Sequence, residues 1–350
     1  MHKRDLPWRT PPCTPYKVWV SEMMLQQTTV TTVIPYFHRF IEQFPCVQDL
    51  AAASLEDVFF LWQGLGYYRR AAHLHKAALA LAEHGFPQTQ QKWMALPGIG
   101  PYTSAAIMAI AFDQPAVAID GNIERVMSRY HGHGEPEWLK KVAQSARECL
   151  PAQRYGDYTQ ALMDLGSQIC RPKTPLCDAC PLQEGCYAFK HGEIERFPPV
   201  KKRIKNKRYG HVYVLYREEG EDLLIALTKE SPNSLLKELW GFPTTLWQSE
   251  ATDSPPEKWG SHGKVRHVFT HFDLELAVWV GKYIPFEPDE KQTTMRVSDL
   301  SVRMENLCWV SVSDLHTYAL SRLMRKVQTV FTQAFVPPDV HGPCDQSLTF

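Results

Sequence analysis

Long apolar runs are missing from this 350-residue chain, and the start His2-Lys3-Arg4-Asp5 leads into no apolar core. A helix spanning a bilayer is therefore excluded, and the expected location is the cytosol, with no membrane partner. Net charge is missing too, because 38 basic residues balance 38 acidic ones. A uniformly basic nucleic-acid coat is excluded, so any contact with phosphate must come from local clusters. Internal repeats and low-complexity tracts are absent, which removes solenoids and disordered scaffolds. His73, His75 and His84 lack any metal-ligand spacing and read as packing or surface residues.

What is present is apolar material for two cores: 44% of residues are hydrophobic and 11% aromatic. Before residue 200 the periodicity is helical, in YKVWVSEMMLQQTTV, SLEDVFFLWQGLG with a Ser54–Asp57 capping box, RRAAHLHKAALALAEHG ending at Gly85, and DYTQALMDLGSQIC. After it come short β-rich runs, HVYVLY, DLLIAL, KVRHVFTHFDLELAVWV and LCWV, then a helical ALSRLMRKVQTVF. Between them, residues 201–208 carry six basic side chains and no acidic one. The pattern predicts an all-α domain over 1–197, a basic linker over 198–208, an α+β domain over 209–335 and a tail over 336–350. The linker reads equally as a solvated tether or as a strap for phosphate.

Two motifs carry chemistry. In LPGIGPYTSAAIMAIAF, Gly98 and Gly100 permit a sharp turn between two helices and leave the amides of the second helix open to an anion, although a plain connector has the same look. Cys170, Cys177, Cys180 and Cys186 follow the spacing Cys-x6-Cys-x2-Cys-x5-Cys, with prolines turning the intervening loops. Four converging thiolates suit either zinc or an iron-sulfur cluster. Cys13, Cys46, Cys149, Cys308 and Cys344 have no such spacing and read as packing or surface residues.

The hairpin, the aspartate of AIDGNIERV and the cysteine spacing together resemble the endonuclease III superfamily of base-excision glycosylases. LPWR at 6–9, PYKVWVSEMMLQQT at 15–28, GLGYYRRAAHLHKAA at 64–78 and FTH at 269–271 narrow the resemblance to the adenine DNA glycosylases of the MutY family, over about residues 5–330. The resemblance implies a helix-hairpin-helix glycosylase domain holding one 4Fe-4S cluster on the four cysteines, followed by a Nudix-like domain. It implies a monomer that flips adenine out of duplex DNA opposite 8-oxoguanine or guanine and cuts its glycosidic bond, leaving an abasic site.

Such chemistry needs a proton for the departing base and an anion facing the cationic sugar. The resemblance assigns the proton to Glu22 and the anion to Asp120, with Asn122 positioning the reacting groups. An N-cap role for Asp120 stands beside that assignment. Tyr102 takes the hairpin position that is lysine in the lyases, so no imine can form; at an exposed hairpin tip it is expected to buttress the sugar. Gln26 and Gln27, one helical turn beyond Glu22, are expected to probe the gap in the duplex, and Tyr67 to stack by the oxidised base. Arg9 and Gln160 are expected to line the adenine pocket. Phe269, Thr270 and His271 form the expected sensor for oxidised guanine, with threonine where the family usually has serine. The second domain lacks a Nudix box and is expected to bind rather than hydrolyse. Two rivals remain: a bifunctional pyrimidine glycosylase-lyase, which would need lysine at 102, and a non-catalytic iron-sulfur DNA-binding protein, which would not need Glu22.

Overall fold

The computed structural model describes residues 3–199, 205–233, 235, 239–251, 260–283 and 306–335. The chain divides into two units, Met1–Leu61 with Tyr68–Lys202, and Trp62–Tyr67 with Arg203–Phe350. Lys201, Lys202 and Arg203 of the expected linker, and the expected tail, lie outside the described residues.

The first unit is helical: α1 (Pro15–Leu25), α2 (Val30–Gln43), α3 (Val47–Ala52), α4 (Leu55–Trp62), α5 (Arg69–His84), α6 (Gln90–Met94), α7 (Pro101–Phe112), α8 (Gly121–His131), α9 (Trp138–Glu148), α10 (Tyr155–Asp164) and α11 (Tyr187–Lys190). Its helix ends follow the local chemistry. Thr14 caps α1 by accepting from Lys17 N at 3.3 Å, with Pro15 in the first helical position. The expected Ser54–Asp57 box forms reciprocally, with Asp57 N donating to Ser54 Oγ at 3.1 Å and Ser54 N to Asp57 Oδ2 at 3.3 Å.

Helices α1 and α7 are apolar around most of their circumference, and such helices run through the interior. α7 packs on α1, α6 and α10. Ala105, Ala106, Ile123, Val126, Trp138, Val142, Leu162 and Met163 form one core among α7–α10. The run 16–30 does not continue as a single helix. α1 stops at Leu25 because the buried Arg70 guanidinium, from α5, donates to the carbonyls of Met23 at 3.0 Å, Met24 at 2.7 Å and Gln26, and to Thr28 Oγ1 at 3.1 Å. Those carbonyls would otherwise accept from the next helical turn, so Gln26 and Gln27 lie in a turn, with Gln27 at φ +62°.

The second unit is a mixed five-stranded sheet in the order β3-β4-β1-β2-β5. Its strands are β1 (Asn206–Glu219), β2 (Asp222–Leu227), β3 (Gly260–Val268), β4 (Phe272–Lys282) and β5 (Cys308–Ser311), with α12 (Arg322–Phe335) against β3 and β4. β1 pairs in parallel with β4, and the other pairs are antiparallel. Lys207 and Arg208, read from composition as linker, are strand residues opposite Asp273 and Leu274. The Arg208 guanidinium lies 4.6 Å from the Phe272 ring centroid, so pairing and cation-π contact fix side chains that charge alone would leave in solvent. Val212, Val214, Ile225, Leu276, Val278, Leu323, Val327 and Phe331 close the core between sheet and helix.

Candidate active site

A cavity of about 690 Å3 opens in the first unit, large enough for a purine nucleoside. Arg9, Glu22, Gln26, Gln27, Gly98, Gly100, Tyr102, Asp120, Asn122 and Gln160 all line it. Ten residues named from the sequence thus meet on one surface, supplied by the N-terminal turn Pro7–Arg9, α1, the turn after it, α7, α8 and α10.

Glu22 is the acidic side chain in the buried stretch of α1 and is 5% exposed. Burial pushes its carboxyl up to about 7; the Tyr102 hydroxyl, its hydrogen-bond partner, and the more distant Arg9 charge pull the other way, while the Asp120 charge adds to the rise. Its Oε2 is buried and has no hydrogen-bond partner. The side chain is therefore poised to hold a proton near neutrality and to give it to something entering the cavity.

Asp120 is the N-cap of α8 and also lines the cavity. As N-cap of α8 its Oδ1 accepts from Asn122 N at 3.0 Å and Ile123 N at 2.8 Å, and its Oδ2 accepts from Asn122 Nδ2 at 2.7 Å. The cap locks the carboxylate at the cavity wall, where the helix N-terminus favours negative charge. Asn122 is held in turn, because its Oδ1 accepts from Arg125 Nη2 at 2.9 Å.

Arg125 was not singled out from the sequence, yet it ties this corner together. It also donates to Gly121 O, Gly166 O and Cys170 O, at 3.1, 2.7 and 2.7 Å. Gly166 lies in a π-helical turn, Leu165–Ile169, and a Cβ there would come 2.5 Å from Asn122 Cβ. Only glycine permits that approach.

The hairpin needs glycine at one position. Gly98 has φ +73°, and a Cβ there would meet His73 Cβ at 2.7 Å and Met23 Cε at 3.1 Å. Gly100 has φ −94° and open space where a Cβ would go, so it leaves the N-terminus of α7 approachable rather than making the turn. Tyr102 is not an exposed tip: it is half-buried and packs against the α7–α10 core, because α7 begins inside the fold. Gln26 Nε2 donates to Thr103 Oγ1 at 3.1 Å, and Gln160 Nε2 to Gly156 O at 3.1 Å. The second bond leaves the Gln160 amide oxygen as the acceptor at the cavity.

The other sequence candidates lie elsewhere. Tyr67 is 47% exposed at φ +50° and, within the second unit, hydrogen-bonds through its hydroxyl to Thr270 Oγ1. Thr270 and His271 form the turn between β3 and β4, closed by Phe269 N donating to Phe272 O at 2.9 Å. Phe269 is turned inward, its ring centroid 4.8 Å from that of Phe272 and 5.5 Å from that of Trp247. It anchors the turn, and His271 is exposed.

All four motif cysteines line a second, small cavity together with Arg129. Arg129 Nη1 donates to Cys170 Sγ at 3.4 Å and to Arg171 O at 2.7 Å, while Nη2 donates to Pro172 O at 2.9 Å. Burial and then the neighbouring thiolates push the Cys177 thiol up, and burial leads the same shift at Cys180. Among the described residues no three ligand side chains converge on a single ion position. Four cysteine thiols around one cavity are a donor set that suits a metal group held by sulfur.

Residues 20–152 match the profile of the HhH-GPD superfamily base excision DNA repair proteins, and residues 211–329 match that of the NUDIX domain. The adenine DNA glycosylase of Buchnera aphidicola from Schizaphis graminum is 34% identical over 293 residues, covering 78% of this chain and 82% of that protein. The human adenine DNA glycosylase is 32% identical over 401 residues, covering 94% of this chain and 71% of that one. A thermostable thymine-DNA glycosylase structure aligns with 54% of this chain and 89% of its own at 27% identity and a TM-score of 0.49. With the hairpin, the buried glutamate and the capped aspartate on one cavity, and with relatives matched across most of their length, the chain belongs to the adenine DNA glycosylase family, the DNA N-glycosylases of base excision repair.

Proposed function

We propose that this protein is a monofunctional glycosylase, acting as a monomer, that excises adenine paired with 8-oxoguanine or guanine in duplex DNA. The observation that carries the reading is Glu22, a buried carboxyl with one oxygen unpartnered, sharing its cavity with the Asp120 carboxylate. The flipped adenine enters the cavity with Gln160 Oε1 accepting from its amino group. Glu22 transfers its proton to the base, the bond from the sugar carbon to N9 breaks, and the electron pair leaves with adenine. Asp120, held by Asn122 and the α8 amides, faces the positive charge left on the sugar until water adds there and gives a proton to the Glu22 carboxylate. Tyr102 offers no amine, so the strand stays intact.

Gly98, Gly100 and the first turn of α7 hold a DNA phosphate, Gln26 and Gln27 probe the space left in the duplex, and Tyr67 stacks by the oxidised base. Thr270 and His271 read the oxidised guanine. Cys170, Cys177, Cys180 and Cys186 hold a 4Fe-4S cluster, supported by the ring of thiols around one cavity. When bound, the cluster supplies the positive charge that keeps these thiolates ionised and fixes the loop carrying Arg171 and Lys173 toward phosphate.

Single-turnover excision from duplexes placing adenine opposite 8-oxoguanine, guanine, cytosine or thymine tests the reading. Adenine opposite 8-oxoguanine should react fastest, followed by guanine, without strand nicking. Equal rates on all four, or release of a pyrimidine, would overturn it. Protein purified anaerobically should be brown and contain iron; a colourless protein with one zinc per chain would remove the cluster.

A further inference from the structure

The Arg9 guanidinium is bonded to one buried carboxylate, Asp164, and acts through its charge on a second buried carboxyl, Glu22. Asp164, the last residue of α10, is 4% exposed and was not among the residues expected to act. Arg9 grips it at two points, Nη1 to Oδ2 at 2.7 Å and Nη2 to Oδ1 at 3.0 Å. Arg4 adds Nε to Oδ1 at 2.6 Å and its backbone N to Oδ2 at 3.0 Å. Both arginines line the cavity that holds Glu22. The Arg9 side chain is 7% exposed, so little water screens its charge.

Glu22 is faced by Tyr102 from α7, by Asp120 from the start of α8, and by Arg9 from the N-terminal turn. From α5, Arg70 is bonded to the carbonyls of Met23, Met24 and Gln26. Arg9 is the cation whose charge acts on Glu22, yet both of its Nη atoms are bonded to Asp164 and Glu22 Oε2 has no partner. The two-point bond commits the guanidinium to Asp164 and leaves three of its five N–H groups outside that bond.

We propose that Asp164 is a positioning residue for the glycosylase reaction: its carboxylate clamps Arg9 and Arg4, seats Arg9 at the adenine site and keeps its charge from Glu22, so that Glu22 stays protonated. Burial would by itself push the Asp164 carboxyl up, but the bonds from Arg9 and Arg4 bring it below its ordinary value, so the clamp remains ionised while Glu22 holds its proton. If Asp164 is neutralised, the guanidinium is released toward Glu22 and Asp120, and in either place it favours loss of the Glu22 proton.

The inference rests on Glu22 being the acid, and the experiment separates the two claims. Single-turnover excision of adenine opposite guanine is followed from pH 5 to 9 for wild type, Asp164→Asn, Asp164→Glu and Arg9→Lys, with thermal melting to establish folding. Asp164→Asn should lower the rate at pH 8 by tenfold or more and move the alkaline limb at least about half a pH unit toward acid, the direction set by freeing a nearby cation. Asp164→Glu, which keeps the carboxylate, should recover most of both. Arg9→Lys conserves every charge but cannot make the two-point bond, so it should shift the limb in the same direction even if Asp164→Asn does not fold. A folded variant whose rate falls while its limb stays at the wild-type pH would show a packing role and overturn the proposal, as would wild-type behaviour in both. Should Glu22→Gln excise normally, the assignment of the acid falls instead, whatever the Asp164 variants do.

Discussion

At Glu22 one side chain is expected to carry both activity and a stability penalty. Glu22→Gln keeps the shape of the group but has no proton to give, so single-turnover excision should fall by at least about two orders of magnitude while mispair binding persists. The same change should alter stability in a pH-dependent way. Burial raises the carboxyl from 4.5 to about 7, so the folded chain binds this proton more tightly than the unfolded one. Its stabilising contribution is complete below pH 4.5 and is lost as pH rises to about 7, a loss of about 3 kcal/mol at most. Melting of wild type and Glu22→Gln should coincide near pH 4.5 and diverge by pH 7.5 with glutamine the more stable; parallel curves would contradict the buried proton. Tyr102 is a second single-residue test. Tyr102→Lys puts an amine at the cavity, where burial favours its neutral form, and should yield a borohydride-trapped protein–DNA adduct that wild type does not form. A folded, DNA-binding variant that traps nothing would separate the hairpin from the reacting sugar carbon.

At the scale of elements, the catalytic corner depends on how helix ends meet. The N-terminus of α8 presents Asp120 and Asn122, and the π-helical turn after α10 passes so close to Asn122 that a Cβ at Gly166 would lie 2.5 Å from Asn122 Cβ. Gly166→Ala should cost about 1–3 kcal/mol through overpacking and lower excision at least tenfold by displacing the cap. Gly100→Ala, with open space at its Cβ, should melt like wild type. Comparing the two by thermal melting and excision distinguishes a close approach from a glycine retained for the partner's sake. The termination of α1 belongs to the same scale: YKVWVSEMMLQQTTV is helical by pattern, and a guanidinium from α5 ends it at Leu25.

For the whole molecule, a net charge of zero says nothing about a local site, because the residues named from the sequence gather on one cavity rather than spreading over the surface. The second unit presents His271 at an exposed turn anchored by Phe269 in an aromatic cluster. His271→Ala should therefore leave folding intact and reduce the preference for 8-oxoguanine over guanine, measured as the ratio of single-turnover rates on the two duplexes. Equal losses on both duplexes would assign that turn to general binding.

Local signals were enough to identify the helical half, the β-rich half, the capping box, the hairpin and the cysteine motif, because caps, turns and ligand spacings are written in residues a few positions apart. The DLLIAL run is β2 residue for residue, and Asp120 before NIERV is the cap it resembles. Only the tertiary structure brought Arg9, Glu22, Asp120 and Gln160 to one cavity, gave Glu22 its raised affinity for a proton, and revealed Arg125, Gly166 and Asp164 as the residues that hold the others in place. Those properties come from burial and from bonds such as Arg9 to Asp164, 155 positions apart, which neither local periodicity nor spacing encodes.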